Sequence, residues 1–193
     1  MFNRDIFVID LETTGTLERT QPTRITEIGI VKIDTNLQIV GRYHSLVNPE
    51  EPLTDFIKEY TDLTDEQLQR APKFKDIANS ITDFIGGKNS TIAAWPMSFE
   101  QPILQWEYAN AGLNYPLDRR GIDIGTLVCF YMFENGIELK QDPNERQPVP
   151  NFTNILYTLG MKPQGRRHTA TTDAQAEAEV LIKVLNEAKS RIF

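Results

Sequence analysis

The strongest constraint on the fold is a change of sequence pattern near residue 52. Before it, Ile6 to Leu11 is a short apolar run, and Thr26 to Asp34 and Ile39 to Val47 alternate apolar with polar residues. Thr35-Asn36 supplies a turn between the last two segments. These patterns predict three consecutive strands, of which the first is buried on both faces.

After Pro52 the pattern becomes helical. Thr64-Asp65-Glu66-Gln67 fits a helix capping box, and apolar residues recur at helical spacing from Phe74 to Ile85, where Gly86-Gly87 ends the helix. Short strands are then predicted at Thr91–Trp95 and Gly121–Ile124, and helices at 103–111, around 128–132, at 151–159 and at 172–191. The order predicts an α/β fold, a mixed five-stranded sheet with an antiparallel three-strand start and helices on both faces.

Length, charge and cysteine content exclude several classes of protein. The 193 residues suit one domain over residues 1–193. No apolar run is long enough to cross a bilayer, and one cysteine with two histidines makes a four-ligand zinc site hard to build. We therefore expect a soluble, cytoplasmic protein. The net charge of −7 argues against a broad, charge-driven nucleic-acid binder, but not against an enzyme that acts on one nucleic-acid end.

The first candidate site is Asp10-Leu11-Glu12-Thr13, at the end of the first predicted strand. A spacing of two places Asp10 and Glu12 on one face of a strand. Two close carboxylates repel each other unless a cation or a shared proton compensates. A hard divalent cation such as Mg²⁺ or Mn²⁺ is the natural partner. Solvated polar residues at a strand end, or the paired acids of a glycosidase, are the alternatives.

A second candidate is the segment from His168 to Asp173, at the start of the last predicted helix. Asp173 there also has a plain structural use as an acid near a helix N-terminus, and His168 reads equally as a surface histidine. Arg166 and Arg167 precede His168 and form a basic cluster with Lys162. This cluster fits either a phosphate backbone or a solvated loop.

The third candidate, Glu100, follows Phe99 at the start of a predicted helix. Ser98 and Gln101 fit a capping box, which would start the helix near Ser98. Glu100 would also favour the helix dipole at that place, which is a purely structural reading.

Taken in order, these three segments resemble the three motifs of the DnaQ-like 3′→5′ exonucleases, DEDDh subgroup. The motifs are Asp10-x-Glu12, Phe99-Glu100 and His168-x₄-Asp173. The resemblance extends to Thr61–Thr64 and to the stretch from Asn151 to Gly160. It implies a ribonuclease-H-like fold. Two departures stand out: the second motif has Glu100 where the family usually has Asp, and Ala94-Trp95-Pro96 replaces a small-residue-His-Asn run.

The resemblance also implies a mechanism and a substrate, the single-stranded 3′ end of RNA or DNA. Two Mg²⁺ or Mn²⁺ ions would be held by four acids, and His168 would act as general base. Thr13 would contact the terminal nucleotide. Phe99 would stack on a base, although a core role is at least as open, and the basic cluster adds Arg166 and Arg167 as candidate phosphate contacts. The acids are Asp10, Glu12, Glu100 and Asp173. The competing hypothesis is a catalytically weakened nucleic-acid-binding protein on the same fold.

Overall fold

The structure is a computed structural model that describes residues 3–16, 22–143, 151–162, 165 and 168–190. Its strands are β1 (Ile6–Thr13), β2 (Ile25–Ile33), β3 (Ile39–Leu46), β4 (Thr91–Ala94) and β5 (Gly121–Asp123). Its α-helices are α1 (Asp55–Thr61), α2 (Asp65–Arg70), α3 (Phe74–Ile85), α4 (Met97–Asn110), α5 (Ile124–Glu134), α6 (Phe152–Thr158) and α7 (Ala170–Ser190).

The strands form one sheet in the order β3-β2-β1-β4-β5. β1 pairs with β2, and β2 with β3, in antiparallel orientation, whereas β1–β4 and β4–β5 are parallel. The predicted mixed five-stranded sheet with an antiparallel start is therefore confirmed. β1 lies at its centre, which explains why its first residues are apolar on both faces.

Helices cover both faces of this sheet, as predicted. Because successive side chains of a strand point to opposite faces, Ile6 and Val8 pack against residues of α5, α6 and α7, while Phe7 and Ile9 pack against α3 and α4. The buried stripe of α7 includes Ala174, Ala178 and Leu181, which the helical spacing of the sequence indicates.

Local sequence signals fix some helix ends, and tertiary contacts fix others. The capping box at Thr64 is present, and Gly86 ends α3 with a positive φ of 80°. The expected capping box at Ser98 is wrong, because α4 begins at Met97. The backbone N–H of Met97 donates to Asp123 Oδ2 of the neighbouring strand at 2.9 Å, and this contact sets the helix start.

Gly29 of β2 allows the N-terminus of α7 to lie directly on the sheet. A Cβ at this position would lie 2.3 Å from the Ala170 carbonyl oxygen and 2.7 Å from the Thr171 nitrogen, distances that real side chains do not adopt. Gly29 also pairs with Asp10 across the β1–β2 ladder. The missing side chain therefore brings the start of α7 next to the acids of β1.

No helix among the described residues combines the length and the apolar character that crossing a bilayer requires.

Candidate active site

The acids of β1 continue the sheet face on which α7 lies. Along that face Ile6 and Val8 are followed by Asp10 and Glu12, so the face changes from apolar to acidic where α7 begins. β1 runs to Thr13, two residues further than its apolar run indicates, because its ladder with β2 continues to that point.

Glu100 reaches this face from α4 through an open edge of β1. The parallel ladder between β1 and β4 ends at Val8, so the later residues of β1 have no strand beside them on that side. The backbone N–H of Leu11 on this edge faces the Glu100 carboxylate. Glu100 is only 4% exposed. Burial, and then the charges of Asp10 and Glu12, hold the pKa of Glu100 well above its usual range, which the Leu11 N–H lowers only in part.

This arrangement fits a hard divalent cation. In the part of the chain that the structure describes, the buried Oε2 of Glu100 accepts no hydrogen bond. A buried carboxylate oxygen without a donor is costly, and the acids beside it increase that cost. A cation ligated by oxygens removes both penalties at once, and Mg²⁺ and Mn²⁺ prefer such ligands.

Asp173 and His168 meet the same cluster from the start of α7. Asp173 is 5% exposed, and its Oδ2 accepts a hydrogen bond of 2.9 Å from the backbone N–H of His168. This bond supports His168 at a φ of +62°, a left-handed conformation that is uncommon for residues with a side chain. One ligand atom from each of Glu12, His168 and Asp173 lies within 4.8 Å of the other two.

The structure thus brings Glu12, His168 and Asp173 into one cluster, and it places Glu100 where the charges of Asp10 and Glu12 act on it. Glu12 belongs to both groups, since its charge acts on Glu100 and its carboxylate lies near His168 and Asp173. Three separate elements supply these side chains: β1, the first turn of α4, and the segment that begins α7.

The expected substrate-binding residues lie in different surroundings. Thr13 is buried, and its hydroxyl donates to the Gly15 carbonyl oxygen at 2.7 Å, which holds the turn after β1. Phe99 is half-buried and packs against the core between the sheet and α3–α4, as the alternative role proposed. Arg166 and Arg167 lie outside the described residues.

Three features of the site escaped the sequence interpretation. One is Gly29, whose signal was a glycine inside a strand otherwise rich in β-branched residues. Another is Tyr60 of α1, whose ring lies 3.8 Å from the His168 ring, measured between centroids. The third is an ion pair on the far part of α4, which no local motif indicates.

That ion pair joins Glu107 to Arg24, just before β2. Arg24 Nε donates to Glu107 Oε1 at 2.8 Å and Nη2 donates to Oε2 at 3.3 Å, and the Ile25 backbone N–H also donates to Oε1 at 3.2 Å. Arg24 in turn holds the end of β1, because its backbone exchanges hydrogen bonds with Thr14. The pair therefore ties α4 to the strand ends beside the acidic cluster.

The sequence of this chain also matches known exonucleases. A family model described as Exonuclease, of the RNase T type, matches residues 7–181. A PolC-type DNA polymerase III of Thermotoga petrophila is 28% identical over 188 residues, which is 97% of this chain and 12% of the relative. A 3′-5′ exonuclease DinG of Staphylococcus epidermidis is 29% identical over 180 residues, or 93% of this chain and 18% of the relative.

Solved structures resemble this chain in fold. The nuclease domain of 3′hExo, a DEDDh family member bound to rAMP, has a TM-score of 0.75 and 22% identity, and the match covers 95% of this chain and 92% of that one. E. coli Exonuclease I in complex with a dA16 oligonucleotide has a TM-score of 0.77 and 13% identity, with coverage of 95% and 41%. The chain spans less than a fifth of the length of the curated relatives named above.

Proposed function

The chain belongs to the exonuclease family, and from this premise we propose that it removes nucleotides one at a time from nucleic-acid 3′ ends by metal-dependent hydrolysis, releasing nucleoside monophosphates. The observation that carries the proposal is the position of Glu100. This side chain is buried against Asp10 and Glu12, and its Oε2 is a buried oxygen that accepts no hydrogen bond from the described residues. Residues 1–193 are taken as one exonuclease domain, because both helical layers pack on the same sheet.

Asp10, Glu12, Glu100 and Asp173 are the proposed ligands for two Mg²⁺ or Mn²⁺ ions. When bound, such ions supply the positive charge that lets a phosphodiester approach an acidic cluster, and they favour both the attack by water and the departure of the 3′-oxygen. Three elements supply these four carboxylates, so their arrangement depends on the fold and not on one local segment.

His168 is the proposed general base. A neutral imidazole nitrogen of His168 accepts the proton of the attacking water. The nitrogen lies within 4.8 Å of oxygens of Glu12 and Asp173, so it faces the place where the phosphodiester would bind. Asp173 contributes to positioning as well, because its carboxylate fixes the backbone of His168.

The proposed substrate is the single-stranded 3′ end of RNA or DNA. The structural neighbours include one bound to rAMP and one bound to a dA16 oligonucleotide, so both RNA and DNA substrates belong in the test. The competing hypothesis of a decayed, non-catalytic binder expects Glu100 to be displaced from the acids. The burial of Glu100 against Asp10 and Glu12 supports catalysis instead.

The test uses 5′-labelled single-stranded RNA and DNA oligonucleotides with Mg²⁺, Mn²⁺ or EDTA. We expect a ladder that shortens from the 3′ end, release of nucleoside monophosphates, and no reaction in EDTA. A circular strand without an end should stay intact. His168→Ala should lower kcat by about 10²–10⁴-fold with little change in strand affinity. Intact linear strands with both ions would overturn the proposal.

A further inference from the structure

Glu27 of β2 lies on the sheet face that carries Asp10 and Glu12, although it belongs to none of the three sequence motifs. It pairs directly with Glu12 across the antiparallel ladder between β1 and β2. Side chains that are directly opposite in such a ladder point to the same face, with Cβ atoms about 4.5–5.5 Å apart. Glu12 is 8% exposed and Glu27 is 5% exposed. Two carboxylates that repel each other are therefore held side by side, away from water.

His44 of β3 holds Glu27 from the other side. The distance between His44 Nε2 and Glu27 Oε1 is 2.8 Å. Because a carboxylate only accepts hydrogen bonds, Nε2 is the donor. His44 pairs with Gly29, the next residue of β2 on this face, so its contact with Glu27 is the diagonal one that long side chains of neighbouring strands can make. The hydrogen bond fixes Oε1 of Glu27 on the β3 side of the sheet face.

The negative charge of Glu27 is not needed for this hydrogen bond. The amide oxygen of a glutamine accepts from a histidine N–H just as a carboxylate does, and it would not repel Glu12. Among the described residues, the group whose ligand atoms lie within 4.8 Å of one another consists of Glu12, His168 and Asp173, and Glu27 lies outside it. Glu27 thus adds a buried charge beside the acidic cluster without adding an atom to that group.

We propose that Glu27 is a positioning residue of the cation site, and that its fixed negative charge beside Glu12 strengthens the binding of divalent cations. This inference rests on the proposed function. A negative charge stabilises a nearby cation without contacting it, and burial limits the screening of this attraction by water and salt. A cation bound to Glu12 also relieves the repulsion between Glu12 and Glu27, so the repulsion of the metal-free state favours binding. His44 keeps the charge of Glu27 in place.

The experiment measures the Kd for Mn²⁺ in the absence of nucleic acid, from the EPR signal of the free ion. Glu27→Gln removes the charge and keeps the size of the side chain and the oxygen that accepts from His44. We expect it to raise the Kd about tenfold. Glu27→Asp retains the charge and should stay within about threefold of wild type. Glu107→Gln is the matched control, because it neutralises another buried glutamate, and its Kd should stay within about twofold of wild type.

His44→Ala separates the effect of the charge from a purely structural role of the pair. This variant removes the hydrogen-bond donor and leaves both carboxylates, so its Tm in EDTA should decrease. Its Kd for Mn²⁺ should nevertheless be lower than that of wild type or within about twofold of it, since the negative charge remains. A pair that only stabilised the sheet would give the same weakening of Mn²⁺ binding in His44→Ala as in Glu27→Gln.

The outcomes separate this inference from the proposed function. If wild type does not bind Mn²⁺, the proposed cation site fails, and the proposed function fails with it. If wild type binds Mn²⁺ and Glu27→Gln binds it equally well, only the role of Glu27 is overturned. An increase of Kd in Glu27→Asp, His44→Ala or Glu107→Gln as large as that in Glu27→Gln would also overturn it, because the effect would then not follow the charge at this position.

Discussion

Two glutamates of α4, two turns apart, are equally buried and have opposite surroundings. Glu107 is 1% exposed, and the Arg24 guanidinium and the Ile25 N–H bind its carboxylate. Glu100 is 4% exposed, and the charges of Asp10 and Glu12 act on its carboxylate. Glu107 forms an ion pair within the chain, whereas Glu100 is surrounded by charges of its own sign.

The difference shows how residues of one type on one helix can serve stability or chemistry. A carboxylate with a guanidinium partner and backbone donors contributes to a fixed structure. A carboxylate buried among carboxylates costs folding free energy, and the fold tolerates that cost where a ligand from outside offsets it. The comparison therefore supports a scaffold role for Glu107 and the proposed cation-binding role for Glu100.

The largest expected effect is that of Asp10→Asn, which removes one of the acids whose charges act on Glu100. Removal of one proposed ligand should lower the cleavage rate by at least about 10³-fold. The metal-free protein should be as stable as wild type or more stable, because one repulsive charge is gone. Cleavage assays measure the loss of activity, and thermal unfolding in EDTA measures the stability of the metal-free protein. Wild-type activity in this variant would exclude Asp10 from the site.

Glu107→Gln tests the ion pair between Glu107 and Arg24. The substitution removes the buried partner of the Arg24 guanidinium, whose side chain is 14% exposed, and leaves it the more exposed carboxylate of Glu50 at 3.8 Å. We expect a loss of about 3 kcal/mol in unfolding free energy, or roughly 6–12 °C in Tm for a chain of this size. Thermal unfolding in EDTA measures it. A variant as stable as wild type would show that the ion pair is not part of the scaffold.

Glu100→Gln makes the same chemical change two turns away and should give the opposite pattern. Activity should decrease at least about tenfold, as expected for the loss of a charged ligand, while the metal-free protein keeps or gains stability. Glu100→Asp should not exceed wild-type activity, because the buried position beside the charges of Asp10 and Glu12 is occupied by the longer side chain. A much faster Glu100→Asp variant would mean that Glu100 marks a degraded site.

The smallest effect concerns pH in the metal-free protein. The pKa of Glu100 in the folded chain lies above the ordinary glutamate value of 4.5 because of burial and then the charges of Asp10 and Glu12. The folded state thus holds its proton where the unfolded state has lost it. Stability should decrease as pH rises from about 4.5, by at most about 1.4 kcal/mol per pH unit for one group. Glu100→Gln should flatten this slope in pH-dependent unfolding, and an unchanged slope would assign it to other groups.

Sequence patterns predicted the sheet, its antiparallel start and most helices, because periodicity records which side of each element is buried. The spacing of Asp10 and Glu12 predicted their shared face for the same reason. The patterns did not predict features that depend on contacts between residues far apart in the sequence. The start of α4 depends on Asp123, the approach of α7 depends on Gly29, and Arg24 and Glu107 pair across 83 positions.

The sequence also could not decide whether Glu100, one methylene longer than the usual Asp, reaches the acids. Its reach depends on where β4 ends relative to β1, which leaves the Leu11 edge of β1 open towards Glu100. Local propensity carries no information on that register. Similarly, nothing in the sequence around Tyr60 indicates that its ring meets His168, 108 positions later.

The most direct test of the cation site is thermal unfolding during a Mn²⁺ titration of wild type, Glu100→Gln and Glu107→Gln. A cation at about 100 times its Kd adds about 2.7 kcal/mol, or roughly 5–10 °C in Tm. We predict this increase for wild type and for Glu107→Gln, each from its own starting Tm, and a much smaller increase for Glu100→Gln. No increase in wild type, or the same increase in all three proteins, would contradict the assignment of Glu100 to a divalent-cation site.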